Sequence, residues 1–164
     1  MKRIVYSVFG LLILLCACSG EREYPNYRGM SMGMPYKALY DTLLMQGYQI
    51  DTAHCSIDSA ANAGLLTLIR EGQPNFGLSV QFHADTIDAI QESYIASYND
   101  STRHLWQSIR DSLEKTLDAW PNAPLLKEDH KLAEFKYNGG KISVLLENTY
   151  TPTMSVLYET TAPE

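Results

Sequence analysis

The chain has 164 residues, 45% of them hydrophobic, and a formal net charge of −6. A chain of that size buries about 68–70% of its unfolded surface, enough for one ordinary core and hence one domain. The acidic balance argues against nucleic acid and against anionic membrane surfaces as partners, because both are recognised through basic patches.

Met1, Lys2 and Arg3 form a short cationic start, and Ile4 to Cys16 follow as an apolar run interrupted only by Tyr6, Ser7 and Gly10. A transmembrane helix needs roughly 20 apolar residues, and this run stops short of that before Ser19, Gly20, Glu21 and Arg22. A cationic start, a short apolar centre and small residues at the exit read as a secretory signal. Two cysteines compete as the processing point. Cys16 follows the bulky Leu15, whereas Cys18 follows the small Ala17 with Leu15 three positions back.

The stretch Leu15-Cys16-Ala17-Cys18 resembles a bacterial lipobox. The resemblance implies removal of residues 1–17, a diacylglycerol thioether on Cys18 and acylation of its new amine. Lipid chains anchor because each buried CH2 contributes about 0.8 kcal/mol, and two or more chains make the attachment stable. A plain cleaved signal is the alternative. Losing Lys2 and Arg3 with the signal takes two of thirteen basic residues against nineteen acidic ones, leaving a mature charge of −8. Cys55 is then the one thiol that remains besides the lipidated Cys18, so no disulfide forms within the mature domain. Residues 18–29 mix charge, Pro25, Asn26 and glycines, and read as a lipidated N-terminus and flexible tether ahead of a single domain over 30–160.

Pro35 suits a first helical turn, where the missing N–H costs nothing. Tyr36, Leu39, Tyr40, Leu43 and Leu44 then recur at helical spacing, and Gly47 suits the residue after the end, so the spacing predicts a helix over 35–46. A short strand is expected at 48–51, then a loop over 51–63. Leu65 to Arg70 is β-compatible, Phe76 to Phe82 alternates apolar with polar or small residues, and Ala84-Asp85-Thr86 turns the chain into a strand over 87–97. Asn99, Asp100 or Ser101 could cap a second helix, along which Trp106, Ile109, Leu113, Leu117 and Trp120 make one face before Pro121. A loop over 121–130 precedes alternating strands at 133–137 and 142–146, joined by a hairpin signal at Asn138-Gly139-Gly140. Met154, Val156 and Tyr158 mark a last strand. The expected fold is α+β: an antiparallel sheet of about six to seven strands with two helices packed on one face, in helix–strands–helix–strands order.

Arg28-Gly29-Met30, Gly33-Met34-Pro35 and Leu43 to Gly47-Tyr48, with the Trp106 helix and the Gly139-Gly140 hairpin, resemble uncharacterised lipoproteins of Bacteroides-type bacteria. The element order is similar to the β-lactamase-inhibitor-protein fold and to SmpA/OmlA-type lipoproteins of outer-membrane assembly, although those carry two helices before each strand set. That likeness implies protein binding without catalysis.

Among candidate chemical groups, Asp51, His54, Cys55 and Asp58 form the densest set of potential metal ligands, and zinc favours thiolate and imidazole. His54 and Cys55 are adjacent, which is awkward for one ion, and an acidic loop with an incidental thiol is the other reading. A nucleophilic Cys55 needs a base such as His83, His104 or His130, and nothing in the sequence brings them together. Met30, Met32 and Met34 offer soft thioethers suited to Cu(I), or equally core contacts that fill irregular gaps. His83 reads as solvated, and Glu92, Glu134 and Glu147 are strand carboxylates with no evident pairing. Asp51-Thr52-Ala53, Asp58-Ser59-Ala60 and Asp85-Thr86-Ile87 match the Asp-(Ser/Thr)-apolar sequon for O-glycosylation in Bacteroides-type bacteria. No cofactor is expected. The expected function is that of a non-enzymatic binding or assembly module. It would be held by Cys18 at the outer membrane, facing the periplasm or the surface, with an envelope protein or a polymer as partner. The competing reading is a metal-dependent or thiol enzyme using the His54–Cys55 loop.

Overall fold

A computed structural model describes residues 26–28, 30–123, 130–137, 139–148 and 150–160. The expected signal, Cys18 and the tether up to residue 25 lie outside them. The protein is α+β. In chain order the elements are β1 (Asn26–Tyr27), β2 (Met30–Ser31), α1 (Tyr36–Met45), β3 (Tyr48–Ile50), a 3-10 turn (Thr52–His54), β4 (Ser56–Asp58), β5 (Ala63–Arg70), β6 (Phe76–His83), β7 (Thr86–Ile95), α2 (Asn99–Leu117), β8 (His130–Tyr137), β9 (Gly140–Glu147) and β10 (Thr153–Thr160). β1 and β2 pair only with each other, while the other strands form one eight-stranded sheet of order β3-β5-β6-β7-β10-β9-β8, with β4 also on β5. Every pairing is antiparallel. The last strand, β10, is inserted beside β7, which joins the two halves of the chain into one sheet.

Side chains alternate across a strand, and directly paired residues share a face. Leu66, Val80, Ile90, Tyr158, Ile142 and Phe135 therefore lie on one face of the sheet. Both helices cover that face. α1 buries Leu39 and Leu43 among Leu68, Leu78, Val80 and Phe82, with Tyr36 stacked on Phe82 at 4.0 Å between ring centroids. α2 buries Trp106, flanked by Leu105, Ile109 and Leu113, against Ala133, Phe135, Val144 and Met154. The indole N–H of Trp106 donates to the Val144 carbonyl at 2.9 Å, so its one polar atom is satisfied inside the core.

Several expectations change. The sheet has eight strands instead of six or seven, with a separate two-stranded ribbon before α1. The ribbon includes Tyr27, only 1% exposed, so the stretch from Asn26 onward belongs to the folded domain and not to a tether. The expected 51–63 loop contains β4, a fully exposed strand on the edge of β5. Its close approach depends on Gly64, since a Cβ there would sit 2.5 Å from the Ser56 carbonyl oxygen. α2 ends earlier than its apolar spacing suggests. Asp118 turns left-handed at φ 49°, and Trp120 stands outside the helix, 87% exposed. No side chain caps the start of α2. Instead Thr102 in its first turn donates to Asn148 after β9 at 2.8 Å, both groups being buried.

Candidate functional site

The two apolar clusters meet along the β7–β10 seam, and one charged residue sits there. Glu92 pairs with Leu78 on one side and with Val156 on the other, which places its carboxylate on the helix-covered face. It is the one charged side chain among the buried described residues. A carboxylate out of water must be met by donors, and here three converge. Tyr27 donates to Oε1 at 2.9 Å, Arg28 to the same oxygen at 2.6 Å, and Tyr94 to Oε2 at 2.8 Å. Arg28 also donates to the Tyr48 hydroxyl at 3.3 Å, and the Tyr27 ring packs edge-on against Tyr158 at 5.3 Å. Burial, reinforced by the Glu92 charge, raises the phenol pKa values of Tyr27 and Tyr94 well above the ordinary range, so both remain protonated donors. The network is satisfied within the protein, which gives it a strong ordering role and leaves no carboxylate oxygen waiting for a substrate.

From the sequence, Glu92 is a strand carboxylate with no evident partner, and Tyr27 and Arg28 fall within the expected tether. The partners lie 64 and 65 residues away along the chain, a separation no local pattern reports. Glu134 and Glu147 do not join the site. Both project from the opposite face, where Glu134 faces Lys141 at 3.7 Å and Glu147 faces His130 at 3.7 Å.

The His54–Cys55 loop divides its two side chains. His54 is exposed and its Nδ1 lies 2.7 Å from Asp51 Oδ2. The Cys55 thiol instead lies inward, donating to the Asp51 carbonyl at 3.2 Å and accepting from the Thr67 N–H at 3.3 Å. Asp58 is occupied by the backbone N–H groups of Ala60 and Ala61. No group of three or more potential metal ligands exists among the described residues. Met32 is fully buried, with Met30 and Met34 packed on the same cluster, so this trio lies in the core. His83 and His104 are exposed, and the hydroxyl-bearing residues of the three loop sequons, Thr52, Ser59 and Thr86, are exposed as well. A groove of about 390 Å3 between the 72–76 turn and the start of α2 carries a single ionisable side chain, Tyr94.

The sheet face away from the helices is uncovered by any described element. Thr67, Ser79, Gln91, Leu157, Ser143 and Glu134 run across it from β5 to β8 as one cross-strand row. The parallel row next to it holds Gly77, Ser93, Ser155, Leu145 and Leu132. Short hydroxyl side chains and scattered leucines give this face mixed polarity. In comparisons with protein-family models, curated proteins and solved structures, the chain finds no match.

Proposed function

We propose that this protein is a lipid-anchored envelope protein of the Bacteroides-type lipoprotein kind, held at the outer membrane through Cys18. In this reading its uncovered sheet face binds another envelope protein or a polymer without catalysis. The observation that carries the binding role is the one-sided packing: both helices cover the same face of an eight-stranded sheet and leave the other open. Broad surfaces of mixed polarity suit macromolecular partners, whereas small substrates call for a concave pocket with convergent polar groups. The lipobox-like Leu15 to Cys18 stretch supports the anchor. The buried Tyr27 leaves only residues 19–25 between Cys18 and the fold, at most roughly 26–29 Å of extended chain up to Asn26.

The test combines lipid and contact mapping in native envelopes. The N-terminal peptide should carry the mass of a diacylglyceryl cysteine at Cys18, and Cys18→Ser should release the protein from membranes. A photo-crosslinking residue at Ser79, Gln91 or Ser155 should then form one common adduct that is missing when the same group stands at Gln107 on α2. Equal adducts from both faces, or none from the open face, would defeat the binding role. A chain cleaved elsewhere and free of lipid would defeat the anchor.

A further inference from the structure

The Glu92 seam is filled by an aromatic–guanidinium pair from the β1–β2 ribbon, Tyr27 and Arg28, and the way the chain fills it is unusual. Among the described residues, the β1–β2 ribbon makes no main-chain hydrogen bond to the large sheet. The first such bonds from this end of the chain come later, where the Ile87 N–H donates to the Met34 carbonyl and the Tyr36 N–H donates to the Asp85 carbonyl. The described residues before Met34 are therefore seated on the large sheet by side chains alone. Tyr27 and Arg28 hold Glu92, while Met30 and Met32 pack on the first cluster. Arg28, the residue that reaches the carboxylate, has a left-handed backbone at φ 50°, a conformation an L side chain keeps only when its contacts impose it. A two-stranded ribbon is at best marginally stable by itself. Its opening free energy is accordingly set by side-chain contacts, those of Tyr27 and Arg28 in the Glu92 seam and of Met30 and Met32 on the first cluster, with no main-chain bond to the sheet added to them.

The geometry points to the β1–β2 ribbon being a displaceable intramolecular ligand: Tyr27 and Arg28 latch into the Glu92–Tyr94–Tyr48 slot in cis, and a peptide arm presenting the same aromatic–guanidinium pair fills that slot when the ribbon leaves. The slot walls come from three separate strands, with Tyr48 on β3, Glu92 and Tyr94 on β7 and Tyr158 on β10, so they persist without the ribbon. One consequence rests on the lipid-anchor reading. Latched, the domain hangs from Cys18 by the chain up to Asn26. Unlatched, the free chain runs to Met34 and the reach about doubles, to roughly 53–58 Å.

The latch itself is tested on the mature chain without any membrane. In hydrogen exchange, Arg28→Gln and Glu92→Gln should each speed exchange over residues 26–33 at least tenfold while amides of β5, β6 and β7 keep their wild-type rates. Arg28→Lys should fall between, because an ammonium keeps the charge but not the forked geometry. On the Tyr27→Ala/Arg28→Ala double variant, a synthetic peptide of residues 24–34 should bind, and the same peptide with Arg28→Gln should bind at least tenfold more weakly. Unchanged exchange over 26–33, loss of protection spread equally over the sheet, or a peptide indifferent to its arginine would each overturn the latch. Because none of these readings involves lipid, failure of the anchor and failure of the latch are told apart.

Discussion

The two faces of the eight-stranded sheet are made by the same strands, yet they answer to different constraints. On the helix side, Leu78, Val80, Ile90 and Val144 are excluded from water, and the one buried charged side chain among the described residues, Glu92, is met by three donors. On the open side, Ser79, Gln91, Ser93 and Ser155 sit one residue away on the same strands, and the charges there are spread as exposed or half-buried pairs such as Glu159 with Lys141 at 3.1 Å. Burial is concentrated on the helix side, and the other side is covered by no described element. Substitutions can therefore separate the two directly.

The largest contrast is expected between neighbours in β6. Leu78→Ala removes a fully buried side chain from under α1 and should cost about 2–5 kcal/mol, as large-to-small core changes do. Ser79→Ala, next along the strand and facing away, should stay within about 0.5 kcal/mol. Urea melts of the two variants decide it, and similar losses from both would mean that the open face is covered in solution.

A second contrast sets two carboxylates against each other. Glu92→Ala leaves the Tyr27 hydroxyl buried without an acceptor and opens a gap in the seam, a loss of about 2–4 kcal/mol. The half-exposed Arg28 guanidinium can turn to water, which holds the figure to that range. Glu134→Ala breaks a pair with Lys141 in which both partners are partly solvated, so less than about 1 kcal/mol should be lost. Chemical denaturation at neutral pH measures both, and a Glu134 effect as large as that of Glu92 would contradict the division of labour between the faces.

This division was only half legible beforehand. Periodicity located α1, α2 and the alternating strands because each has to bury one stripe, and Tyr36, Leu39 and Leu43 are where the spacing puts them. Trp120 misled because it continues the step of α2 beyond a left-handed Asp118, an ending that glycine usually marks and this sequence does not. β4 was hidden since Ser56-Ile57-Asp58 is exposed throughout and owes its strand conformation to β5 alongside it. Cys55 was readable as a lone thiol, but not that its sulfur is held between the backbones of Asp51 and Thr67. The Glu92 seam was illegible for a stronger reason. Its donors come from the ends of a long chain path, and a Tyr-Arg pair among polar residues looks like tether until the partner carboxylate is in view.

The smallest expected effect lies where the two faces locally lose their alternation. Gln81 pairs with Ala89 while the next residue, Phe82, pairs with Ile87, leaving Asp88 as the extra residue of a β-bulge. Burial there raises the Asp88 pKa above its ordinary 3.8, and the charge of His83 pulls it only part of the way back. A carboxyl whose folded pKa is raised favours the fold in its protonated form. Its contribution is fully present below the unfolded value and is lost as pH climbs through the folded one. Ionised Asp88 is thus a slight burden at neutral pH, and Asp88→Asn should raise the melting temperature at pH 7. The gain should shrink towards zero near pH 3, where Asp88 carries its own proton and resembles the amide. Thermal melts of both proteins at the two pH values check the sign. An advantage that grew on acidification would show that the bulge holds Asp88 by its charge, and that a cation other than the exposed His83 reaches it.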